Sequence, residues 1–359
     1  MPKTRKLQAA QALREAFEQA MAADPRVFMV GLGASDPKGI FGTTSGLQEK
    51  FGAARVIDPP CSESALTGIA IGAALMGQRP ILSHQRVEFS LLALEQIIDN
   101  AAKMHYVSRG QHRVPVVIRM IIGRGWGQGA QHAQSLEVLY SHIPGLKVVM
   151  PVTPADHKGM MLAAIADDSP VIFLEHRWCH YTEGEVPVDP VPASLDGPEK
   201  LADGEDITVV ATSFMVLEAM QAVSAAAKYG VKADFFDLRV LRPLNLAAIL
   251  ASVKRTGRLL FIDTGWTTYG IGAEVVAQAT EQAFDSLRAA PRRLGLPEMP
   301  VPASPVLAKS YYVTAADIVD TMLQMANPTA DRQTARAELE AIRDRLPFDV
   351  PHPAFKGPF

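Results

Sequence analysis

Apolar positions along the first half of the chain follow two different spacings. Within residues 7–22 they recur every three to four positions, at Ala10, Leu13, Phe17 and Met21, which is the spacing of one helical face. Further on, short uninterrupted apolar runs alternate with segments of helical spacing. The runs, predicted as buried strands, are 27–30, 55–57, 80–83, 114–118, 146–150 and 171–174, and the predicted helices among them are 63–76, 89–106 and 155–166. Such strands, separated by helices, indicate a parallel sheet covered on both faces.

A second β/α series begins after a segment without any apolar period. Residues 186–206 are rich in prolines and acidic side chains, so we predict a linker there. Beyond it, strands are predicted at 207–212, 232–237 and 258–262, and helices at 215–228, 245–253, 270–287 and 314–326. Residues 329–359 are predicted as a charged helical tail and a proline-rich coil. The predicted fold class is α/β, with a parallel-sheet domain over 1–185 and a second α/β domain over 207–328.

Composition and charge exclude several classes of function. The 359 residues are 48% hydrophobic and 20% charged, which is ordinary for a globular protein with a large core. The 35 basic and 38 acidic side chains give a net charge of −3, so the charge balance attracts neither nucleic acid nor an anionic membrane. No apolar run approaches the roughly 20 residues of a membrane-spanning helix, and the first residues lack the apolar core of a signal peptide. Only Cys61 and Cys179 are cysteines, so a disulfide framework is excluded and a cytoplasmic protein is expected.

Common nucleotide and metal motifs are absent from the sequence. Gly31 and Gly33 follow a predicted strand, but Asp36 stands where the dinucleotide fingerprint needs its third glycine. The sequence contains no P-loop, no HExxH and no CxxC. A glycine run spans 123–129, and alternate glycines let a backbone approach a ligand closely. A flexible surface loop explains that run equally well.

Three side chains are candidates for chemistry, and each also has a simpler structural explanation. Glu63 begins the predicted helix 63–76, where a carboxylate is favourable by about 0.3–1 kcal/mol without any function. His132 follows the glycine run and is as easily a hydrogen-bonded loop histidine. Cys61 precedes a helix N-terminus, a position that activates thiols, but no base partner is identifiable in the sequence.

The predicted helix 63–76 carries two glycines four positions apart, Gly68 and Gly72. Each glycine costs a helix about 1 kcal/mol relative to alanine, so a compensating contact is expected. Close approach of another helix would supply it. Because the face is apolar, that helix belongs either to the same chain or to another subunit, and the sequence leaves both open.

Several sequence segments follow one another in a characteristic order. They are 46–52 (GLQEKFG), 55–58 (RVID), 62–81 (SE followed by GIAIGAALMGQRPI), 95–103 (EQIIDNAAK), 131–135 (QHAQS), 144–151 (PGLKVVMP), 169–175 (SPVIFLE), 237–244 (DLRVLRPL) and 263–274 (DTGWTTYGIGAE). In sequence and spacing they resemble the β subunit of the E1 component of 2-oxo acid dehydrogenases of the pyruvate, branched-chain and acetoin types. The resemblance covers residues 5–325.

This resemblance implies a thiamine-pyrimidine-binding domain followed by a transketolase C-terminal-like domain. It implies thiamine diphosphate as cofactor and oxidative decarboxylation of a 2-oxo acid, with the acyl group passed to a lipoyl-bearing E2. In the family, a GDG motif and a downstream Asn of an α subunit hold the diphosphate and Mg²⁺, and this sequence has no GDG. The chain is therefore expected to form half of an active site, completed by an E1 α-like subunit in an α2β2 heterotetramer.

The resemblance also assigns roles to individual residues. Glu63 matches the carboxylate that hydrogen-bonds the pyrimidine ring and activates the cofactor. Phe89 matches the aromatic side chain that stacks on that ring, and Cys61 and Gln85 match positions that line it. His132 matches the histidine expected near the substrate carbonyl and the lipoyl group, where it would exchange protons.

A potassium ion is implied as well, and two departures from the family stand out. In relatives, backbone carbonyls hold the ion, and the matching residues here are Ala164, Ile165, Asp167 and Ser169. Residues 31–36 lack the acidic pair that usually follows the first strand, and Ala133 replaces the serine after the histidine. That serine is expected to tune local hydrogen bonding, so the orientation of the histidine is affected.

Two arginines near the expected reaction centre bear on the substrate. Arg86 stands beside the cofactor-lining positions, and Arg124 lies in a loop that also contributes Trp126 and Gln128. Arginines at a reaction centre grip carboxylates or phosphates, which would favour a larger polar or phosphorylated substrate. Solvated arginines, or arginines paired with Glu88, explain the same pattern.

Three other functions stay open on the sequence alone. The chain could be half of a split transketolase or acyloin-type carboligase acting on a sugar or sugar phosphate. It could be a non-catalytic assembly subunit that retains the fold, although Glu63, Phe89 and His132 together argue against that. A hydrolase with Cys61 as nucleophile is the most distant alternative.

Overall fold

The chain is built around a seven-stranded and a five-stranded sheet, with a separate two-stranded ribbon. The computed structural model describes residues 3–124 and 127–345. In the N-terminal half of the described residues, the strands are β1 (Thr4–Gln8), β2 (Val27–Gly31), β3 (Val56–Ile57), β4 (Arg79–His84), β5 (Val117–Ile122), β6 (Lys147–Val149), β7 (Val171–His176) and β8 (Glu183–Pro187). The helices there are α1 (Ala9–Ala23), α2 (Leu47–Phe51), α3 (Glu63–Leu75), α4 (Met104–Val107), α5 (Gly129–His132), α6 (Glu137–Ser141) and α7 (Pro154–Ala166).

The C-terminal half of the described residues adds the remaining elements. Its strands are β9 (Glu199–Ala202), β10 (Ile207–Ala211), β11 (Ala233–Asp237), β12 (Val240–Arg242), β13 (Leu259–Trp266) and β14 (Arg292–Leu296). Its helices are α8 (Met215–Lys228), α9 (Ala247–Thr256), α10 (Ile271–Ala283), α11 (Pro305–Ala308), α12 (Ala315–Ala326) and α13 (Arg332–Arg343). None of the described helices is long and apolar enough to cross a membrane.

Most strands of both sheets are parallel, which confirms the predicted α/β fold class. The large sheet has the order β12-β6-β7-β5-β4-β2-β3, and only β12 at its edge is antiparallel. The smaller sheet has the order β14-β13-β10-β11-β9, with β9 antiparallel at its edge. Because β12 comes from the C-terminal half but pairs with β6, the two halves of the chain share a sheet.

Apolar side chains from both sheets meet in one continuous core. Ile118 of β5 and Ile172 of β7 belong to it, as do Phe236 of β11 and Leu259 of β13. All six residues of β5 are buried, as a strand covered by helices on both faces requires. This shared core fixes the carboxyl ends of the two sheets relative to each other.

Three segments differ from the sequence prediction. The predicted linker 186–206 contains the end of β8 and all of β9, and β8 pairs with β1 to form the two-stranded ribbon. The predicted helix 89–106 is broken into a 3₁₀ segment (Val87–Ala93), a π-helical turn (Gln96–Ala101) and the short α4. The predicted strand 114–118 is displaced to Val117–Ile122. Residues 346–359 of the predicted tail lie outside the described residues.

Candidate active site

Most of the predicted site residues lie at one edge of the large sheet. Strands β2, β4, β5 and β7 are parallel neighbours, so their carboxyl ends share that edge, which is where ligands bind in open α/β sheets. Gln85, Arg86 and Phe89 follow the end of β4, and Arg124 and His132 follow the end of β5. Arg86 and Gly123, which are 37 positions apart in sequence, are hydrogen-bonded there, so the sheet brings distant residues to one place.

Glu63 joins the same edge through the first turn of α3. Thr67 donates its hydroxyl to the Glu63 backbone oxygen at 2.8 Å and lies 3.4 Å from Nε2 of His84, the last residue of β4. Burial lowers the pKa of His84 to about 4, and the charge of Glu63 only partly opposes that shift. The half-buried Glu63 carboxylate therefore faces a neutral imidazole.

Cys61 lies beside Glu63 and is not activated as a nucleophile. Its Sγ donates to Oε1 of Glu63 over 3.6 Å. The negative charge of that carboxylate, followed by partial desolvation, raises the pKa of the Cys61 thiol. Cys179 is buried, and burial raises its thiol pKa as well. The hydrolase alternative receives no support from either cysteine.

Phe89 and His132 pack against each other at this edge. Their ring centroids lie 5.4 Å apart with the planes tilted by 57°. Nδ1 of His132 is buried and has no hydrogen-bond partner among the described residues. Gln85 is held nearby, because its side-chain amide donates to the carbonyl of Leu32 in the loop after β2 at 3.1 Å.

Arg86 is built into the protein rather than directed at an open surface. Only 3% of the residue is exposed, and burial lowers its pKa to about 10. Nη1 donates to the Gly123 carbonyl at 2.8 Å, and Nη2 donates to the side-chain oxygen of Gln128. Arg86 is thus hydrogen-bonded to two residues of the segment that contains the glycine run. The geometry favours this structural role over the predicted contact with a substrate anion.

Arg124 is likewise held by protein groups. Its guanidinium carbon lies 3.9 Å from the ring centroid of Trp178 and 4.1 Å from that of Tyr312, a double cation–π contact between the two halves of the chain. The cavity that Arg124 lines has a volume of about 20 Å³, enough for one water but not for a substrate. The geometry therefore favours a structural role for this arginine over the predicted substrate contact. Trp126 lies outside the described residues.

The residues matched to the potassium ion lie at the opposite edge of the sheet. They are Ala164, Ile165, Asp167 and Ser169, around the end of α7. Arg79, the first residue of β4, donates to the carbonyls of Ile165 at 2.9 Å and Asp167 at 3.0 Å. A cationic side chain thus already faces two of these oxygens. The potassium ion stays a prediction, and it would have to share these oxygens with Arg79.

A buried pair of carboxyl groups was missed in the sequence. Glu137 begins α6 and is 1% exposed, while Asp263 lies in β13 and is 4% exposed. One oxygen of each carboxyl group has no hydrogen-bond partner among the described residues. Burial, together with the charge of Asp263, raises the pKa of Glu137 to about 8, and burial raises the pKa of Asp263. No local pattern marks this pair, because its members are brought together only by the packing of the two sheets.

The Glu137 proton makes stability depend on pH. The folded pKa of about 8 exceeds the ordinary value of 4.5, so the folded protein keeps a proton that the unfolded chain releases. The stabilising contribution is therefore complete below pH 4.5 and declines as the pH rises towards 8, by at most about 1.4 kcal/mol per unit. Glu137→Gln keeps a neutral polar side chain and should remove most of this dependence. Chemical denaturation at pH 5.5 and pH 8 measures the difference.

Glu205→Gln is the matched control, because Glu205 is an exposed carboxylate. Relative to this control, Glu137→Gln should lose less unfolding free energy between pH 5.5 and pH 8, because its side chain has no proton to release. An equal loss of stability with rising pH in both variants would show that Glu137 is ionised in the folded protein.

Comparisons with known proteins identify the family of both halves of the chain. Residues 5–179 match the family model of the transketolase pyrimidine-binding domain, and residues 198–318 match that of the transketolase C-terminal domain. The β subunit of acetoin:2,6-dichlorophenolindophenol oxidoreductase from Cupriavidus necator is 41% identical over 88% of this chain and 96% of its own length. The β subunit of the pyruvate dehydrogenase E1 component from Rickettsia bellii is 38% identical over 87% of this chain and 96% of its own length.

A solved structure shares the fold. It is a split-gene transketolase in an inactive β4 tetramer, with a TM-score of 0.71 over 89% of this chain and 98% of that one. At 20% identity, this likeness shows only that the two chains share a fold. The full-length relatives at 38–41% identity go further and confirm the resemblance found in the sequence. The chain belongs to the transketolase-like family of β subunits that includes those of the pyruvate dehydrogenase E1 component and of acetoin oxidoreductase.

Proposed function

We propose that this chain is the β subunit of a thiamine diphosphate-dependent 2-oxo acid dehydrogenase of the E1 type, which decarboxylates a 2-oxo acid and passes the acyl group to a lipoyl domain. The observation that carries the proposal is the Glu63 carboxylate, which lies at the same sheet edge as the Phe89–His132 pair. The relatives named for pyruvate dehydrogenase E1 and acetoin oxidoreductase support it. They favour it over a split transketolase or carboligase, because the split-gene transketolase structure is 20% identical and shows only that the fold is shared.

The residues at this edge fit the pyrimidine half of the cofactor. Thiamine diphosphate, when bound, supplies the carbon nucleophile and the electron sink that decarboxylation needs. Within the described residues, the only hydrogen bond to the Glu63 carboxylate comes from the Cys61 thiol, a weak donor, so its oxygens can accept one from a ring nitrogen. Phe89 would pack against the ring, and Gln85 would line it. The diphosphate and Mg²⁺ are assigned to an α-like partner subunit.

The surroundings of Glu63 suit a hydrogen-bond acceptor. It is the first residue of α3, a helix of 13 residues whose unpaired N-terminal N–H groups favour negative charge. His84 faces it in the neutral form, because burial lowers the pKa of that histidine. No neighbouring imidazolium therefore competes with a bound ring for the carboxylate.

His132 would exchange protons with the substrate. The residue is half-buried, and its Nδ1 is buried without a hydrogen-bond partner among the described residues. The ring of Phe89 packs against the imidazole and would help to keep water from the reacting atoms. An imidazole can both donate and accept a proton, which suits this role.

The two glycines of α3 face different surroundings. A Cβ on Gly68 would lie 3.3 Å from the side chain of Gln96, so this glycine packs within the chain. A Cβ on Gly72 would meet no atom within 4 Å. Gly72 lies on an exposed apolar stripe with Ile69 and Met76, which are 64% and 83% exposed. We assign this stripe to the contact with the α-like subunit, since a glycine on an exposed helix face allows a second helix to approach closely.

Replacing Gly72 by leucine should weaken assembly without unfolding the chain. The new side chain has room within the chain and favours the helix, but it would hold a partner helix away. We expect the affinity for the α-like subunit to fall about tenfold or more in a binding titration. Ser224→Leu, on the exposed face of α8, is the control and should bind normally. Equal affinities for the two variants would place the subunit contact elsewhere.

Acylation of a lipoyl domain tests the proposed reaction. The chain, reconstituted with its α-like partner, thiamine diphosphate and Mg²⁺, is incubated with pyruvate or a branched-chain 2-oxo acid and an isolated lipoyl domain. The proposal predicts that the lipoyl domain gains the mass of an acyl group. Transfer to an added aldehyde, with no acylated lipoyl domain, would instead identify a carboligase.

A further inference from the structure

We propose that Glu88 is a positioning residue for His132: its buried carboxylate anchors the loop that carries the histidine and stabilises the protonated imidazole. The role of His132 in catalysis rests on the proposed function. The interaction between the two side chains does not, because it concerns only the chain itself.

The anchoring contact is direct. Glu88 lies in the 3₁₀ segment Val87–Ala93, and its Oε1 accepts a hydrogen bond from the backbone N–H of Gln134 at 2.8 Å. Gln134 is two residues beyond His132. The next residue, Phe89, packs on the His132 ring itself. Glu88 therefore binds the backbone of the loop that carries the histidine, and the next residue, Phe89, contacts the ring of His132.

Glu88 and His132 also each have an unpaired buried atom. Oε2 of Glu88 and Nδ1 of His132 are both buried, and neither has a hydrogen-bond partner among the described residues. Leaving a buried polar atom without a partner destabilises the folded protein. The two atoms are chemically complementary, because a protonated Nδ1 is a donor and a carboxylate oxygen is an acceptor.

The charged and titratable side chains that act on Glu88 are Arg86, His132 and Tyr140. Burial raises the pKa of Glu88, whereas the N–H of Gln134 and the charges of Arg86 and His132 oppose that shift. Arg86 donates both of its Nη atoms to other groups, while its Nε is buried and has no hydrogen-bond partner among the described residues. Tyr140 also faces Glu88, and its hydroxyl is hydrogen-bonded to Ser90. Through its buried Nδ1, a protonated His132 can give this carboxylate a second, charge-assisted hydrogen bond.

The variant Glu88→Gln separates the anchoring of the loop from the effect of the carboxylate charge on His132. Glutamine keeps a side-chain oxygen for the Gln134 N–H, so the loop stays anchored, but it removes the charge. Deuterium exchange at the imidazole Cε1–H, followed by mass spectrometry over a pH series, gives the titration midpoint of each histidine in the full chain. We expect the midpoint of His132 to be lower in Glu88→Gln than in the unmodified chain, because a nearby opposite charge that favours the protonated imidazole is lost.

Three controls keep the result interpretable. Glu95→Gln removes an exposed carboxylate from the same region and should leave His132 unchanged. The exposed His112 and His142 should titrate identically in all variants. Glu88→Asp retains the charge and should restore a midpoint close to that of the unmodified chain, even if Glu88→Gln folds poorly.

An unchanged His132 midpoint in Glu88→Gln would overturn the inference, even if activity were lost, because it would leave only a structural role for Glu88. A shifted midpoint in a complex that acylates no lipoyl domain would support the inference and contradict the proposed function. The two failures are therefore distinguishable.

Discussion

Replacing Glu63 by glutamine is expected to lower the turnover of the reconstituted enzyme by about 100-fold to 10,000-fold, the range typical for loss of a group that drives proton transfer. Glutamine occupies nearly the same volume but cannot act as an anion at the cofactor ring. The rate of 2,6-dichlorophenolindophenol reduction with a 2-oxo acid substrate measures the effect without requiring a lipoyl domain.

A second readout tests the contact between Glu63 and Cys61. Because the charge of Glu63 raises the pKa of the Cys61 thiol, its removal should make Cys61 react faster with iodoacetamide at a fixed pH. Glu49→Gln, which alters an exposed carboxylate of α2, should change neither rate. Turnover by Glu63→Gln within about twofold of the unmodified enzyme would favour the non-catalytic assembly subunit.

Replacing Glu175 by glutamine is expected to destabilise the fold by about 3–5 kcal/mol. Glu175 of β7 and Arg119 of β5 form two hydrogen bonds of 2.7 Å each, and the two side chains are 0% and 1% exposed. Burial alone would raise the pKa of Glu175, but the charge and hydrogen bonds of Arg119 and His180 overcome it and bring it to about 2. The substitution would leave the Arg119 guanidinium buried without its counter-charge.

The pH dependence of this loss has a definite sign. A folded pKa of about 2, below the ordinary 4.5, means that the pair stabilises fully above pH 4.5 and less as the pH falls towards 2. The loss of unfolding free energy in Glu175→Gln should therefore be constant from pH 6 to pH 8 in denaturant titrations. The double variant Arg119→Met/Glu175→Leu should recover most of it, because apolar side chains can replace a buried ion pair. A deficit below about 1 kcal/mol would mean that the pair contributes little.

The same ion pair explains why one strand boundary was predicted wrongly. The apolar run at 114–118 was expected to end before the charged Arg119, but β5 continues to Ile122 because the charge is neutralised by the neighbouring strand. At its other end, Pro115 has no N–H for a ladder, so the strand begins only at Val117. Continuous apolar runs predict central strands well, whereas a charge paired across strands is invisible in a single sequence.

The remaining differences arise where local pattern is weak. Strands β1, β8 and β9 are mostly exposed and polar, and they show no apolar alternation that would distinguish them from a helix start or a linker. The predicted helix 89–106 is broken near its start, where Ser90 donates its hydroxyl to the Val87 carbonyl at 2.5 Å. Such a local side-chain bond competes with regular helix geometry.

The candidate site was predictable only in part for a similar reason. The helix start at Glu63 and the glycine run after β5 are local features, and the family resemblance gave them roles. The anchoring of His132 by Glu88 and the Glu137–Asp263 pair depend on contacts between distant segments. Arg86 is an example of a role that depends on contacts between distant segments. Its position beside the site suggests substrate binding, whereas its buried hydrogen bond to Gly123 favours a structural role.

The central claim is that this chain supplies half of a thiamine diphosphate site. The most direct test is affinity purification of the tagged chain from its native host, followed by mass spectrometry of the accompanying chains and a thiamine diphosphate titration of the isolated and paired forms. The account predicts an equimolar partner that carries a GDG motif and a downstream Asn, and tight cofactor binding only by the pair. A chain that is recovered alone and binds thiamine diphosphate and Mg²⁺ unaided would contradict it.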